Sequence, residues 1–316
     1  MARFENGTAL LFPGQGSQYA GMSRTFYEGD EHARQMIDGI TAAFDIKELC
    51  FNGPEETLRD TRYSQASIFM ASMCIAETLR NNGLVVDAVA GLSLGEFGAL
   101  CYAGAFDVKT GIQLLTERGR IMADHIPSDS GMAVVMPLSS EKVQEACDEV
   151  ADIGACQIAT FVTPSRTVIT GTLAAVDAAG ERCKDAGARM VVPINASGAF
   201  HSVLATKAAG EFAKALDAYA FEYPTLPLYY NATGTTECED IKAMEVGQLT
   251  QSVEFKTMIE NMINDGTTRF ICLGPGKTLA GFVKEIAQAN DSKAETVTIE
   301  RLEQAIALLK PSGIVS

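Results

Sequence analysis

The sequence predicts an α/β fold in which a largely parallel sheet is flanked by helices and interrupted by a ferredoxin-like (βαββαβ) unit. Apolar, strand-like runs alternate with helical segments over both ends of the chain, which is the pattern of a parallel sheet. Between Met132 and Asn195 the candidate elements instead follow the order β-α-β-β-α-β. The first pattern resumes at residue 198. We therefore expect a discontinuous large domain of residues 1–129 and 198–316, and an inserted small subdomain of residues 130–197.

The composition favours a globular protein and disfavours several classes. A chain of 316 residues can bury a sizeable core. The formal net charge of -15 argues against nucleic acid as a partner, because binding phosphates needs a clustered excess of Lys and Arg. No run of apolar residues is long enough for a membrane helix, and the opening MARFENG does not resemble a secretory signal. We expect a cytoplasmic protein without a membrane partner, and a monomer.

Metal chemistry is not predicted. The eight cysteines have no CxxC spacing, and the chain has only three histidines. The cysteines are interpreted as reduced thiols, mostly in the core.

Two predicted strands in the first third of the chain end in glycine-containing loops. Residues 8–12 predict a buried strand that ends at the loop Pro13–Gly16, and residues 84–90 predict another that runs directly into Gly91–Gly95. Helices are predicted over residues 66–80, from Glu96, and over 109–125.

The last third of the chain predicts further helices and strands. A helix is predicted after His201 as far as about Tyr219, followed by the strand LPLYYN. A helix around residues 246–264, the strand RFICLG and a final helix from Lys277 complete the pattern.

The segment Gly91-Leu-Ser93-Leu-Gly95 fits a nucleophile elbow. Glycines on both sides of Ser93 let the chain turn sharply between a strand and a helix, which exposes the hydroxyl. The helix N-terminus favours developing negative charge, so the N–H of Leu94 is the natural first donor of an oxyanion hole. The alternative is a tight turn in which the serine only caps the helix.

The Pro13–Gly16 loop is the candidate source of a second oxyanion donor, with Gln15 as the residue. It follows a neighbouring predicted strand, where such a donor is expected. It does not match a dinucleotide fingerprint, which would need glycine where Tyr19 stands. A plain turn is the alternative.

His201 is the candidate general base. It lies in a loop of small residues at a predicted helix start, whereas His32 and His125 lie on or beside polar helices. A capping or solvated histidine is the alternative interpretation.

Arg118 lies on the apolar side of its predicted helix. At 100° per residue it falls in line with Ile112, Leu115 and Met122. An arginine on a buried face needs an anion, which could be an internal carboxylate or a substrate carboxylate held by two hydrogen bonds.

Taken together, the motifs resemble those of the malonyl-CoA:acyl carrier protein transacylases and the related acyltransferase domains of polyketide synthases (PKS). The match runs in order along nearly the whole chain. The matching segments are Leu11–Gln18 (LFPGQGSQ), Gly91–Glu96 (GLSLGE), Arg118-Gly119, Ala199–His201 (AFH), Gln248 and Gly274–Lys277 (GPGK).

The resemblance implies an α/β-hydrolase-like large domain with a ferredoxin-like insertion. It implies that Ser93 accepts the malonyl group as an ester and that His201 is its base. It assigns Arg118 to the free malonyl carboxylate, and Gln15 and Leu94 to the oxyanion hole. Gln248 marks the segment that orients the histidine, partly through a backbone carbonyl.

The resemblance also implies the reaction and the partners. Malonyl-CoA would acylate the serine, coenzyme A would leave, and the phosphopantetheine thiol of holo acyl carrier protein would then take the acyl group in a ping-pong cycle. No permanently bound cofactor is implied, because the coenzyme A thioester is itself a substrate.

Three positions bear on specificity. Leu92 stands where many members of the family carry histidine, and residues 160–164 replace an asparagine-rich segment. Phe200 is associated with selection of malonyl, because a bulky ring leaves little room for an α-methyl branch.

Three alternatives stay open at this point. The first is a freestanding acyltransferase of a polyketide pathway that uses malonyl or an unusual extender unit. The second is a hydrolase that clears stalled acyl groups, and the third is a non-catalytic docking module.

Because the carrier protein is acidic, we also expect a local basic patch, for which Lys207, Lys277 and Lys284 are candidates.

Overall fold

The computed structural model describes residues 2–195 and 198–310, which form two β-sheets surrounded by helices. The strands are, in chain order, β1 Gly7–Phe12, β2 Ala88–Gly91, β3 Ser130–Met136, β4 Cys156–Thr163, β5 Arg166–Thr172, β6 Met190–Ile194, β7 Leu228–Tyr229, β8 Thr267–Leu273 and β9 Glu295–Ile299.

The helices flank both sheets. In chain order they are α1 Arg24–Gly29, α2 Glu31–Asp38, α3 Ile46–Asn52, α4 Glu55–Arg59, α5 Thr61–Asn81, α6 Gly95–Tyr102, α7 Val108–His125, α8 Ser140–Asp148, α9 Leu173–Asp185, α10 Thr206–Leu216, α11 Ile241–Gln248, α12 Phe255–Asn264, α13 Thr278–Ala289 and α14 Leu302–Leu309.

The larger sheet is parallel and has the strand order β7-β2-β1-β8-β9. Its central strands are apolar on both faces because helices cover both sides, and Ala9 to Phe12 are fully buried. The strand order reverses on either side of β1, so the loops after β1 and β2 open at the same carboxyl edge. Ligands bind at such edges in open α/β sheets.

The smaller sheet is antiparallel, with the order β4-β5-β3-β6. Its chain order of β3-α8-β4-β5-α9-β6 is the βαββαβ sequence of elements that the sequence predicts. The predicted fold class, a parallel-sheet α/β protein with a ferredoxin-like insertion, is confirmed. The predicted boundary at residue 197 lies outside the described residues, so the domain limits stay a prediction.

The long helix α5 forms the centre of one helical layer. Every residue from Ser64 to Ala76 is buried, because α5 packs against α7 and against the sheet. Helix α7 is capped by Asp107, whose carboxylate accepts a hydrogen bond from the Thr110 N–H at 2.7 Å.

Several predicted elements differ from the structure. The helix predicted from Lys277 is not the last element, because β9 and α14 follow it, and the predicted strand LPLYYN is a strand only over Leu228–Tyr229. The helix predicted around 246–264 is two helices, because the segment between them is extended: Val253 pairs with Thr160 of β4, and its N–H bonds to the Ala159 carbonyl at 2.8 Å. The strand predicted over 84–90 starts only at Ala88, and Val85 is 80% exposed. Among the described residues, no helix is both long and apolar enough to cross a membrane.

Candidate active site

Ser93 lies in a sharp turn between β2 and α6 at the carboxyl edge of the large sheet. Its φ of 52° is in the left-handed region that non-glycine residues seldom adopt. A Cβ on Gly91 would lie 2.0 Å from the Gly95 carbonyl carbon, and one on Gly95 would lie 2.2 Å from the Phe12 oxygen. Both positions require glycine because the two ends of the turn are in close contact with each other and with the end of β1.

The hydroxyl of Ser93 is paired with His201. The Ser93 Oγ lies 2.6 Å from the His201 Nε2, and the His201 Nδ1 lies 2.7 Å from the backbone oxygen of Gln248. A carbonyl oxygen only accepts hydrogen bonds, so Nδ1 must carry the proton. In this tautomer Nε2 is free to accept the proton of Ser93.

Burial determines the protonation state of His201. The ring is 5% exposed, and this burial lowers the pKa of His201 to about 4. The hydrogen bond to Gln248 opposes the shift, and the nearby positive charge of Arg118 adds to it. The imidazole is therefore neutral near pH 7, as a general base must be.

The loop that carries His201 is held by a side chain of the small sheet. The side chain of Gln157 on β4 donates to the His201 and Thr250 carbonyls at 3.3 and 3.4 Å, and accepts from the Val203 N–H at 3.0 Å. His201 itself has a φ of 55°. These contacts offset the strain of that conformation and fix the ring next to Ser93.

Two backbone N–H groups near Ser93 are free to bind a ligand. The N–H groups of Gln15 and Leu94 have no acceptor within the described chain. The Gln15 loop touches the elbow, because a Cβ on Gly14 would lie 2.6 Å from the Leu92 oxygen. Leu94 immediately precedes α6, so its N–H also benefits from the helix dipole. The arrangement can stabilise negative charge on an oxygen bound at Ser93.

Arg118 is buried with neutral partners. It is 2% exposed, and its guanidinium donates to the side-chain oxygens of Gln65 at 2.7 Å and Gln248 at 3.0 Å. Its Nε has no partner among the described residues, and none of their carboxylates forms an ion pair with it. Burial lowers the pKa of Arg118 to about 10, so it stays positively charged at neutral pH. No carboxylate of the described residues forms a direct ion pair with Arg118, although negative charge on Glu245 or Glu96 is near enough to favour its protonated form.

A chain of polar side chains links Arg118 to the Gln15 loop. Gln65 donates to the Thr61 hydroxyl at 3.0 Å, and that hydroxyl donates to the Gln15 side-chain oxygen at 3.1 Å. The close packing of α7 on the start of α5 requires Gly119, since a Cβ there would lie 2.4 Å from the Thr61 oxygen. Arg118 and the candidate oxyanion loop are thus fixed relative to each other.

The remaining predicted site residues line the same region. The side chain of Gln248 donates to the Ser93 carbonyl oxygen at 3.3 Å, while its oxygen accepts from Arg118. Leu92 is half-buried against the Gln15 loop, and Phe200, next to His201, is 8% exposed within the core. The structure therefore brings Ser93 and His201 together with Gln15, Leu94, Arg118 and Gln248.

Sequence reasoning gave no role to several buried polar residues around this site. They are Gln65, Glu96, Asn231 and Glu245. Asn231 is the last residue of the predicted strand LPLYYN, at the carboxyl edge of the sheet, and this position was a signal that could have identified it. Gln65 and Glu245 lie within helices and gave no local signal.

The fold and the Ser93–His201 pair together define the class. A serine at a strand-to-helix elbow, hydrogen-bonded to a neutral buried histidine and close to loops with unpaired N–H groups, is the arrangement of an enzyme that works through a covalent acyl-serine.

Comparisons with known proteins identify the family. The model of the acyl transferase domain matches residues 9–304. The malonyl CoA-acyl carrier protein transacylase of Bacillus subtilis (strain 168) is 34% identical over 311 residues, covering 96% of this chain and 97% of the relative. The chain belongs to the malonyl CoA-acyl carrier protein transacylases, within the acyl transferase family.

Solved structures agree. The MCAT of Streptococcus pneumoniae is 37% identical with a TM-score of 0.89, covering 96% of this chain and 99% of that one. A malonyl-transacylase in complex with its type II PKS acyl-carrier protein is 30% identical, with the same TM-score and coverage.

Proposed function

We propose that this protein transfers a malonyl group from malonyl-CoA to the phosphopantetheine thiol of acyl carrier protein, through an ester on Ser93. The observation that carries this proposal is Arg118, a buried cation with neutral partners and a free Nε. One amide, that of Gln248, separates it from Ser93. A carboxylate on the acyl group would give Arg118 the direct ion-pair partner that it lacks among the described residues, which supports malonyl over a neutral acyl chain.

In the first half-reaction the Ser93 oxygen attacks the thioester carbonyl while the His201 Nε2 takes its proton. The N–H groups of Leu94 and Gln15 stabilise the negative oxygen of the tetrahedral intermediate. The carbon–sulfur bond then breaks, and the histidine returns the proton to the departing coenzyme A sulfur. The Gln248 carbonyl holds the Nδ1 proton throughout, which keeps the ring in one orientation.

In the second half-reaction the thiol of the carrier protein takes the place of coenzyme A. His201 accepts the thiol proton, the sulfur attacks the malonyl ester, and the proton passes to the Ser93 oxygen as the ester bond breaks. No permanently bound cofactor takes part in this cycle, because the substrates supply both thiols.

Phe200 is proposed to limit the size of the acyl group. Phe200 immediately precedes His201 in the chain and is 8% exposed, so its side chain has little freedom to move. Rejection of a single extra methyl group is worth about 1 to 3 kcal/mol, so we expect preference for malonyl over methylmalonyl and not absolute exclusion.

The proposal covers both fatty-acid and polyketide pathways, since the same half-reactions serve either carrier protein. A hydrolase would use the same serine and histidine, but a buried cation in the acyl site does not suit a neutral stalled chain. The cytoplasmic location, the monomeric state and the effects of Leu92 and of residues 160–164 stay predictions.

Initial-rate kinetics test the covalent route. We expect parallel double-reciprocal lines when malonyl-CoA is varied at several fixed concentrations of holo acyl carrier protein, because each half-reaction is complete before the next begins. Intersecting lines would mean that both substrates bind together, and they would contradict the acyl-serine route.

A further inference from the structure

The strained backbone of Ser93 is held by the side chain of Asn231. The Ser93 N–H donates to the Asn231 Oδ1 at 2.7 Å, and the Asn231 Nδ2 donates to the Gly91 carbonyl at 2.8 Å. Asn231 is fully buried two residues after the end of β7, the strand next to β2. One amide therefore bonds two backbone groups of the elbow and opposes relaxation of Ser93 out of the left-handed conformation.

Asn231 is in turn fixed by the carboxylate of Glu96. The Glu96 Oε2 accepts from both the backbone N–H and the side-chain amide of Asn231, and its Oε1 accepts from the Gln248 Nε2 at 3.2 Å. Glu96 is fully buried on α6, three residues after Ser93. All three neighbouring groups are donors, so this position requires a group that only accepts.

A second fully buried carboxyl, that of Glu245 on α11, adjoins the Glu96 carboxylate. Two carboxylates can share a hydrogen bond only if one of them carries a proton. No donor among the described residues bonds to either Glu245 oxygen, whereas Glu96 is surrounded by donors, so the shared proton belongs on Glu245. Burial and the charge of Glu96 raise the pKa of Glu245 well above its usual value.

We propose that Glu96, as a carboxylate, and Asn231 are positioning residues for the nucleophile, and that Glu245 serves Glu96 as a neutral carboxylic acid donor. The inference rests on the proposed role of Ser93 but not on the identity of the acyl group. Glu96 and Glu245 contact no reacting atom; they act on Ser93 through Asn231 and Gln248.

The same isosteric substitution, glutamate to glutamine, should therefore impair Ser93 reactivity at position 96 and leave it nearly unchanged at position 245. In Glu96→Gln the new NH2 group must face Asn231 or Gln248, which offer only donors, so the elbow loses its support. In Glu245→Gln the NH2 group replaces the carboxylic acid proton and still donates to Glu96. The pair is a matched control because both residues are fully buried and change by the same atoms.

The test measures Ser93 reactivity with a fluorophosphonate, which forms an oxygen–phosphorus bond at Ser93 and releases fluoride without needing malonyl-CoA. We expect Glu96→Gln to lower the labelling rate and kcat about 100-fold, and Glu245→Gln to stay within about 5-fold of the parent enzyme. KM for malonyl-CoA should be nearly unchanged in both, and thermal unfolding is recorded for each variant. Asn231→Ala should resemble Glu96→Gln in labelling.

The proposal is overturned if the two glutamine variants lose activity or stability equally. It is also overturned if Glu96→Gln is labelled as fast as the parent enzyme. If Glu96→Gln does not fold, the other two variants still test the proposal. A large loss of Ser93 labelling in Glu245→Gln, or no loss in Asn231→Ala, overturns it. Parent enzyme that is labelled but transfers no malonyl group disproves the proposed substrate while leaving the network comparison intact.

Discussion

At the scale of single residues, burial determines what Arg118 and His201 can do. Water cannot compensate the charge of Arg118, whose partners are neutral amides, so the guanidinium is available to a carboxylate. Burial also keeps His201 neutral. The helical phase of residues 112–122 predicted the burial of Arg118, but its amide partners come from α5 and α11 and could not be read from its own helix.

Replacing Arg118 tests its role in acyl selection. We expect Arg118→Ala to lower kcat/KM for malonyl-CoA about 30- to 1,000-fold, because the substrate carboxylate loses its partner. This factor corresponds to a loss of about 2 to 4 kcal/mol in transition-state stabilisation. Transfer from acetyl-CoA should not fall, since acetyl carries no carboxylate. Rates with both thioesters measure this.

Arg120→Ala is the matched control. Arg120 lies on the same helix but is exposed and paired with Asp124 at 3.2 Å, so its loss should leave both rates unchanged. An equal loss with malonyl-CoA and acetyl-CoA in Arg118→Ala would contradict selection by charge.

The pH dependence of acylation follows from the lowered pKa of His201. The active base is the neutral ring, and it stays neutral until the pH falls to about 4. The rate of Ser93 acylation should therefore be nearly constant from about pH 8 to pH 5 and fall only below that. Quenched-flow mass spectrometry of the adduct measures it. A midpoint near the ordinary histidine value of about 6.5 would contradict the effect of burial.

At the scale of elements, the elbow depends on close contact between β1 and α6. Gly95 lets the start of α6 lie against the carbonyls of Phe12 and Pro13. The strand, the turn and the helix could all be predicted from the GxSxG pattern, because the glycines and apolar residues are local signals. The division between α11 and α12 could not, because it depends on Val253 pairing with β4 from the other sheet.

Adding one methyl group at Gly95 should be strongly destabilising. The Cβ of Gly95→Ala would lie 2.2 Å from a backbone oxygen that cannot move without shifting β1. We expect a loss of at least about 3 kcal/mol in the free energy of unfolding, measured by urea denaturation.

Gly281→Ala provides the comparison within α13. No atom lies within 4 Å of the position its Cβ would take, so it should instead raise stability by about 0.5 to 1 kcal/mol through helix propensity. Similar effects of the two substitutions would contradict the packing described at the elbow.

At the scale of the whole molecule, the two sheets meet at the site. Gln157 of the small sheet holds the His201 loop, while Ser93 and Asn231 come from the large sheet. Both sheets could be predicted from the order of elements, because alternating strands and helices indicate the large sheet and the β-α-β-β-α-β order indicates the small one. The contacts between them join residues distant in sequence and could not be predicted from periodicity.

The net charge of -15 predicts that carrier-protein docking depends on a local basic patch. Lys207, Lys277 and Lys284 are exposed, and the nearest carboxylate oxygen to the Lys277 Nζ is 3.7 Å away, on Glu300. Reversing all three to Glu should raise KM for the carrier protein about 10-fold and leave acylation by malonyl-CoA unchanged.

The control reverses Lys47, Lys142 and Lys184, which changes the net charge equally at other exposed sites. Unchanged transfer in the first triple variant, or an equal loss in both, would show that these lysines form no docking patch.

The central claim is tested most directly by the intact mass of the protein after mixing with malonyl-CoA and then with holo acyl carrier protein, alongside Ser93→Ala. We expect a malonyl adduct that requires Ser93 and moves to the carrier protein. An adduct that persists in Ser93→Ala, or one that is lost to water without reaching the carrier protein, would contradict the account.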